Sequence, residues 1–102
     1  MQIKDQIYGL PISEELSESL KKHTNNRDWA EVSIKTRVGT STLRDVSYRN
    51  RALTEKNSVG IIELIKQAKR NCAYEVRDAY QSIRLFDNVL IEEPKEKADE
   101  VK

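Results

Sequence analysis

The feature that most constrains this chain is the spacing of apolar and small residues around one glycine in "WAEVSIKTRVGTSTLRDV", Trp29 to Val46. Val32 and Ser33 fall on one helical face, Val38 just precedes Gly39, and Leu43 and Val46 are three apart on a second helical face. Two short helices joined by a tight turn cross steeply only if such positions are apolar or small. Val32 packs beneath the first helix, Ser33 lets the second approach, Val38 plugs the turn, and Leu43 and Val46 seat the second helix.

The surroundings agree with a helical domain. In 102 residues, 37% hydrophobic and 34% charged with few glycines and prolines, one small core is the natural outcome. Ser13, with Glu14 and Glu15 after it and Lys21 and Lys22 later, signals a helix of about three turns whose stripe is Ile12, Leu16 and Leu20. "HTNN" ends it, and Asp28 with Glu31 three residues on predicts a capped second helix from Trp29 to Thr36. A third helix is expected from Thr40 to Asn50. Thr54 offers a cap for a fourth, with a stripe of Val59, Ile62, Ile65 and Ala68 or Lys69, widened by Ile61 and Leu64. Beyond Asn71 the period continues through Cys72, Val76, Tyr80 and Ile83, as one long helix or as a new one after a break.

The expectation is an all-α, compact bundle of four to five helices containing a helix-turn-helix, with "LFDNVLI" (85–91) readable as a short strand or an apolar plug. Residues 1–12 form an arm, 13–70 the central domain, 71–91 a segment that either dimerises or folds back over the core, and 92–102 a charged tail expected to be disordered. In the dimer reading the contacts are Cys72, Val76, Tyr80, Ile83 and Phe86. In the alternative, Val76, Ile83, Phe86 and Val89 cover the core against Ile3 and Ile7.

The net charge of +1 conceals a division. Residues 1–26 carry −1, residues 27–77 carry +5 and residues 78–102 carry −3. A basic middle between acidic ends attracts polyanions, or is simply the solvated face of ordinary helices.

The central stretch resembles the lambda-repressor-like, Cro-type helix-turn-helix family, over about Ser13 to Ala68, with "LTEKNSVGIIELIKQA" resembling the helix that closes the core. Two positions depart from the family pattern: Ser33 stands where alanine is usual, and Arg37 where glycine is. Arginine there must either accept left-handed backbone or shift the turn toward Gly39. The resemblance implies sequence-specific binding of double-stranded DNA, with helix 40–50 in the major groove. It makes Thr40, Ser41, Thr42, Arg44, Asp45 and Tyr48 the base-contacting candidates. Arg44 leads, since a guanidinium can bond guanine O6 and N7 together. Lys35, Arg37, Arg49, Arg51 and Lys56 are candidates for phosphates. Rival readings pair Arg44 with Asp45 or Glu55 on the surface, turn Thr42 toward the helix interface, and pack the Tyr48 ring on the fourth helix.

The implied role is a small regulator, most simply a repressor acting as a homodimer. An architectural or plasmid-origin-marking protein would use the same contacts, and a helical adaptor or antitoxin-like module would use the basic middle on an acidic protein. No catalytic constellation, glycine-rich phosphate loop or metal-spaced cluster stands out, so no enzyme, cofactor, metal or small-molecule substrate is expected. Cys72 is expected as a buried thiol acting as a small apolar residue, and His23 as a helix-end surface residue. With no apolar run of membrane-spanning length and no signal-peptide pattern, the expected location is the cytoplasm.

Overall fold

The computed structural model describes residues 2–90. Ile91 and the tail 92–102, for which disorder was expected, lie outside the described residues. Four helices follow in order: α1 (Glu14–His23), α2 (Asn26–Thr36), α3 (Thr40–Ser47) and α4 (Glu55–Val89). No strand occurs among the described residues, and no helix there is long and apolar enough to cross a membrane.

Local chemistry sets the boundaries. Ser13 Oγ accepts from the Leu16 amide, capping α1, and Thr54 and Asn57 form a reciprocal capping box at α4. The cap of α2 differs from the sequence expectation. Asn25, not Asp28, is the N-cap, and Asp28 is the third helical residue of the box, so α2 starts earlier, at Asn26. The other register would have left Asp28 at the helix mouth. Instead its buried carboxylate accepts both the Asn25 amide and the Asn71 side chain, at 3.1 Å each. Asn71 Nδ2 also donates to the carbonyl of His23 at 2.8 Å. Asn71, where a break was one expectation, is therefore the polar tie that joins the ends of α1 and α2 to an unbroken α4.

The third helix ends at Ser47 rather than Asn50. Arg49 takes a left-handed φ of 65°, and its Nε donates to the Ile12 carbonyl at 2.7 Å, turning the chain away. The arm is held rather than free: the Gly9 amide donates to the Leu53 carbonyl and the Leu53 amide to that of Leu10.

Ile12, Leu20, Val32, Val38, Leu43, Val46, Leu53, Ile61 and Leu64 make the core, with Leu16, Trp29, Ile65 and Ala68 at its margin. The turn residues predicted to pack do so, Ser33 half-buried among them. On α4 the centre of the buried face is Ile61 and Leu64, with Gly60 beside them, while Val59 points to solvent. The expected stripe was thus rotated off the true one, because Gly60 was not counted as a packing position. A Cβ on Gly60 would lie 2.7 Å from Leu43 Cδ2 and 2.9 Å from Val38 Cβ, so its bare backbone is what lets α4 approach the turn.

Residues 85–89 are helical, which corrects the strand or plug reading, and α4 at 35 residues extends about 52 Å. Val76, Ile83, Phe86 and Val89 are exposed, as is Ile7. They do not fold back over the core: a continuous helix, tied at Asn71, carries them away from it.

Candidate nucleic-acid interface

The turn between α2 and α3 keeps its register by straining Arg37. That residue is the C-cap of α2 with φ 67° and ψ 15°, whereas Gly39 has an ordinary φ of −61°. The arginine has accepted the left-handed backbone instead of passing it to the glycine. Its amide donates to the Ser33 carbonyl at 2.7 Å, closing the helix end.

Beside this turn lies a cleft of about 460 Å³, walled by the turn, Thr42 of α3, the loop after α3 and the start of α4. Arg37, Arg51 and Lys56 line it with the polar side chains of Thr36, Thr42, Thr54 and Asn57, and no acidic residue does. Arg37 and Lys56 make no ion pair among the described residues. Arg51 reaches Thr42 Oγ1 at 3.4 Å and Asp45 at 3.8 Å. Three cations on an acid-free concave surface suit a phosphate or another oxyanion.

On its other side α3 borders a cleft of about 300 Å³ lined by Asn26, Trp29, Thr40, Ser41 and Arg44. Thr40, Ser41 and Arg44 are exposed, and Gly39 as N-cap offers no side chain to the first amides of α3. These amides remain free for an external acceptor.

The remaining candidates are drawn elsewhere. Thr42 is half-buried, in the lining of the basic cleft, where its Oγ1 accepts from Arg51. Asp45 is held between Arg44 Nε at 3.6 Å and Arg51, so in the free protein it neutralises cations. Tyr48 follows α3 as its C-cap, and its ring meets that of Trp29 edge-on at 6.2 Å with Lys21 Nζ 5.3 Å from its centroid. The ring thus packs on α1 and α2, not on the fourth helix as the rival reading had it. Besides Arg51, with its long contacts to Thr42 and Asp45, two of the five phosphate candidates have internal ties, both closer ones. Arg49, besides bonding Ile12, lies 3.5 Å from Glu14. Lys35 Nζ lies 3.0 Å from Glu63 Oε1, and Lys66 bonds the same carboxylate at 3.2 Å. Hydrogen bonds from Lys35 and then Lys66 hold the Glu63 carboxyl below the usual carboxylate range.

One constellation was invisible in the sequence. His23, Cys72 and Glu75 bring their donor atoms within 4.8 Å of one another, with His23 Nδ1 3.4 Å from Glu75 Oε1. Zinc accepts all three donor types, but a closed structural site takes four ligands. His23 Nδ1 makes no hydrogen bond here, and the tie between the end of α1 and α4 is the bond from Asn71 to the His23 carbonyl.

No protein-family model matches the chain, and no curated protein or solved structure is significantly similar to it.

Proposed function

We propose that the protein binds double-stranded DNA in a sequence-selective way and acts as a small transcriptional regulator, most simply a repressor. The observation that carries this reading is the cleft of Arg37, Arg51 and Lys56, with no acidic residue in its lining, on one side of α3, and the exposed Thr40, Ser41 and Arg44 on the other side of the same short helix. Backbone contacts orient a protein on the duplex, while side chains at a groove edge read bases, and α3 carries a candidate set of each kind. Arg44 is the reader: its loose contact with Asp45 is readily exchanged for guanine. Arg37 and Lys56, unpaired in the free protein, give up no internal partner when they meet phosphates. With Arg51 released from Asp45 as the third, three phosphate contacts give a salt slope of about −2.7, or roughly a 40-fold loss of affinity between 50 and 200 mM salt.

The test is selection from a randomised duplex library by the wild type and by Arg44→Ala, at two salt concentrations. An enriched site whose preference relaxes at particular bases in Arg44→Ala supports the regulator. Salt-sensitive binding without an enriched site supports a sequence-independent, architectural role. Absence of binding removes the proposal and favours an acidic protein as the occupant of the cleft.

A further inference from the structure

The half of α4 beyond Asn71 carries an uncovered apolar seam. Cys72, Val76, Ala79, Ile83 and Phe86, continued by Leu90, the extended C-cap just past the last turn, follow one another at alternating intervals of four and three residues. This is the heptad spacing that keeps one line of side chains toward a partner helix. Val76, Ile83, Phe86 and Leu90 are 70%, 55%, 59% and 74% exposed. A helix meant to stand alone in water would carry polar residues there.

We propose that the seam is closed by the same seam of a second copy, and that the two helices run antiparallel. Side-chain volume decides the direction. In a parallel pair each residue meets its own copy, so Ala79 against Ala79 leaves a gap one heptad before Phe86 is crowded against Phe86. In the antiparallel pair, centred on Gln81, Cys72 meets Leu90, Val76 meets Phe86 and Ala79 meets Ile83. Every layer then joins a smaller side chain to a larger one, the condition for even packing along a seam. The flanks are compatible: Tyr80 lies beside Tyr80 and Ser82 beside Ser82 of the second copy, Asp87 beside Ala73, and Glu75 beside Val89. No like charges meet. The seam and Tyr80 would remove on the order of 600 Å² of surface per chain, near the roughly 800 Å² of a standard interface.

The direction fixes where the heads lie. At 1.5 Å per residue, the two copies of Ile61, in the middle of each head, stand about 60 Å apart along the helix axis. On the DNA-binding reading, half-sites about two helical turns apart follow, instead of one.

The single cysteine makes the direction measurable on the full chain without DNA. Wild type and Leu90→Cys are oxidised at micromolar concentration, their cross-links mapped by mass spectrometry, and their masses measured by sedimentation. The expected result is a wild-type dimer without a Cys72 to Cys72 cross-link. In Leu90→Cys, Cys72 of one copy joins the thiol introduced at position 90 of the other. Ile83→Asp, on an exposed position, should raise the dissociation constant about 100-fold or more with the helical signal of the head intact. A wild-type monomer, a Cys72 to Cys72 cross-link, or a dimer in which Leu90→Cys gives no 72-to-90 link overturns the proposal. Failure of the DNA selection leaves this outcome untouched, so the two readings fall separately.

Discussion

Gly60→Ala sets two effects of opposite sign against each other. Alanine in a helix interior is favoured over glycine by about 1 kcal/mol, so an open position on α4 would gain stability. At Gly60 the new methyl meets Leu43 Cδ2 at 2.7 Å and Val38 Cβ and Cγ2 at 2.9 Å. Leu43 is fully buried and has nowhere to swing, and Val38 Cβ is fixed by the turn backbone, so relief requires α4 and the turn to separate. Overpacking of this kind costs about 1–3 kcal/mol, and a contact with an atom that no rotamer can move belongs at the upper end. The net expectation is a loss of about 2 kcal/mol. For a domain of this size that lowers Tm by roughly 8–16 °C. Urea titration followed by circular dichroism should show a lower midpoint with an unchanged slope. A variant as stable as the wild type, or more so, would refute the reasoning: helix propensity would outweigh packing, and the turn would not be seated on α4 as tightly as described.

Arg37→Gly should raise stability by up to about 1 kcal/mol in the same titration, since a left-handed backbone costs a side-chain-bearing residue roughly 1–2 kcal/mol and part of that is returned to glycine's freer unfolded chain. It should also make the salt slope of DNA binding shallower by about 1, as removal of one phosphate contact does. Asn71→Ala strips the donor from both Asp28 and the His23 carbonyl, and a loss of about 1–3 kcal/mol is expected; no loss would mean the tie is not part of the fold's stability. Because its folded pKa is lowered, Glu63 contributes stability that is complete above the ordinary carboxylate range and is lost as pH falls through the lowered value. Glu63→Gln should therefore flatten the acid side of a stability-against-pH profile below about pH 4.5 while abolishing the dependence due to this group.

What could be read in advance was local. Ser13 and Thr54 cap their own helices within three residues, and Val32, Val38, Leu43 and Val46 are apolar at spacings that any two packed helices require. The cap of α2 could not be settled that way. "NNRDWAE" offers Asn25 with Asp28 and Asp28 with Glu31 as equivalent boxes, and the choice comes from Asn71, 43 positions away from Asp28. The same holds for the site. Arg49 and Lys35 look identical in sequence to Arg37 and Lys56, and only the Ile12 carbonyl and Glu63, brought by other helices, distinguish them. Gly60 did leave a signal: a glycine inside an otherwise continuous helical pattern marks a close approach.

That division of the cations explains how a chain of net charge +1 can present a locally cationic cleft. The acids are not spread evenly. Glu63 neutralises Lys35 and Lys66, Glu14 stands beside Arg49, Glu31 beside Arg27 and Glu18 beside Lys21. Each of these pairs braces a helix or joins two of them, and of the cleft cations Arg37, Arg51 and Lys56 only Arg51 has an acidic partner, Asp45 at 3.8 Å. The backbone cost at Arg37 belongs to the same pattern. Glycine would serve the turn better, and arginine adds no hydrogen bond to the fold through its side chain. The left-handed backbone at Arg37 costs stability in the free protein while its exposed guanidinium stays solvated, and the choice becomes intelligible if that charge meets an anion.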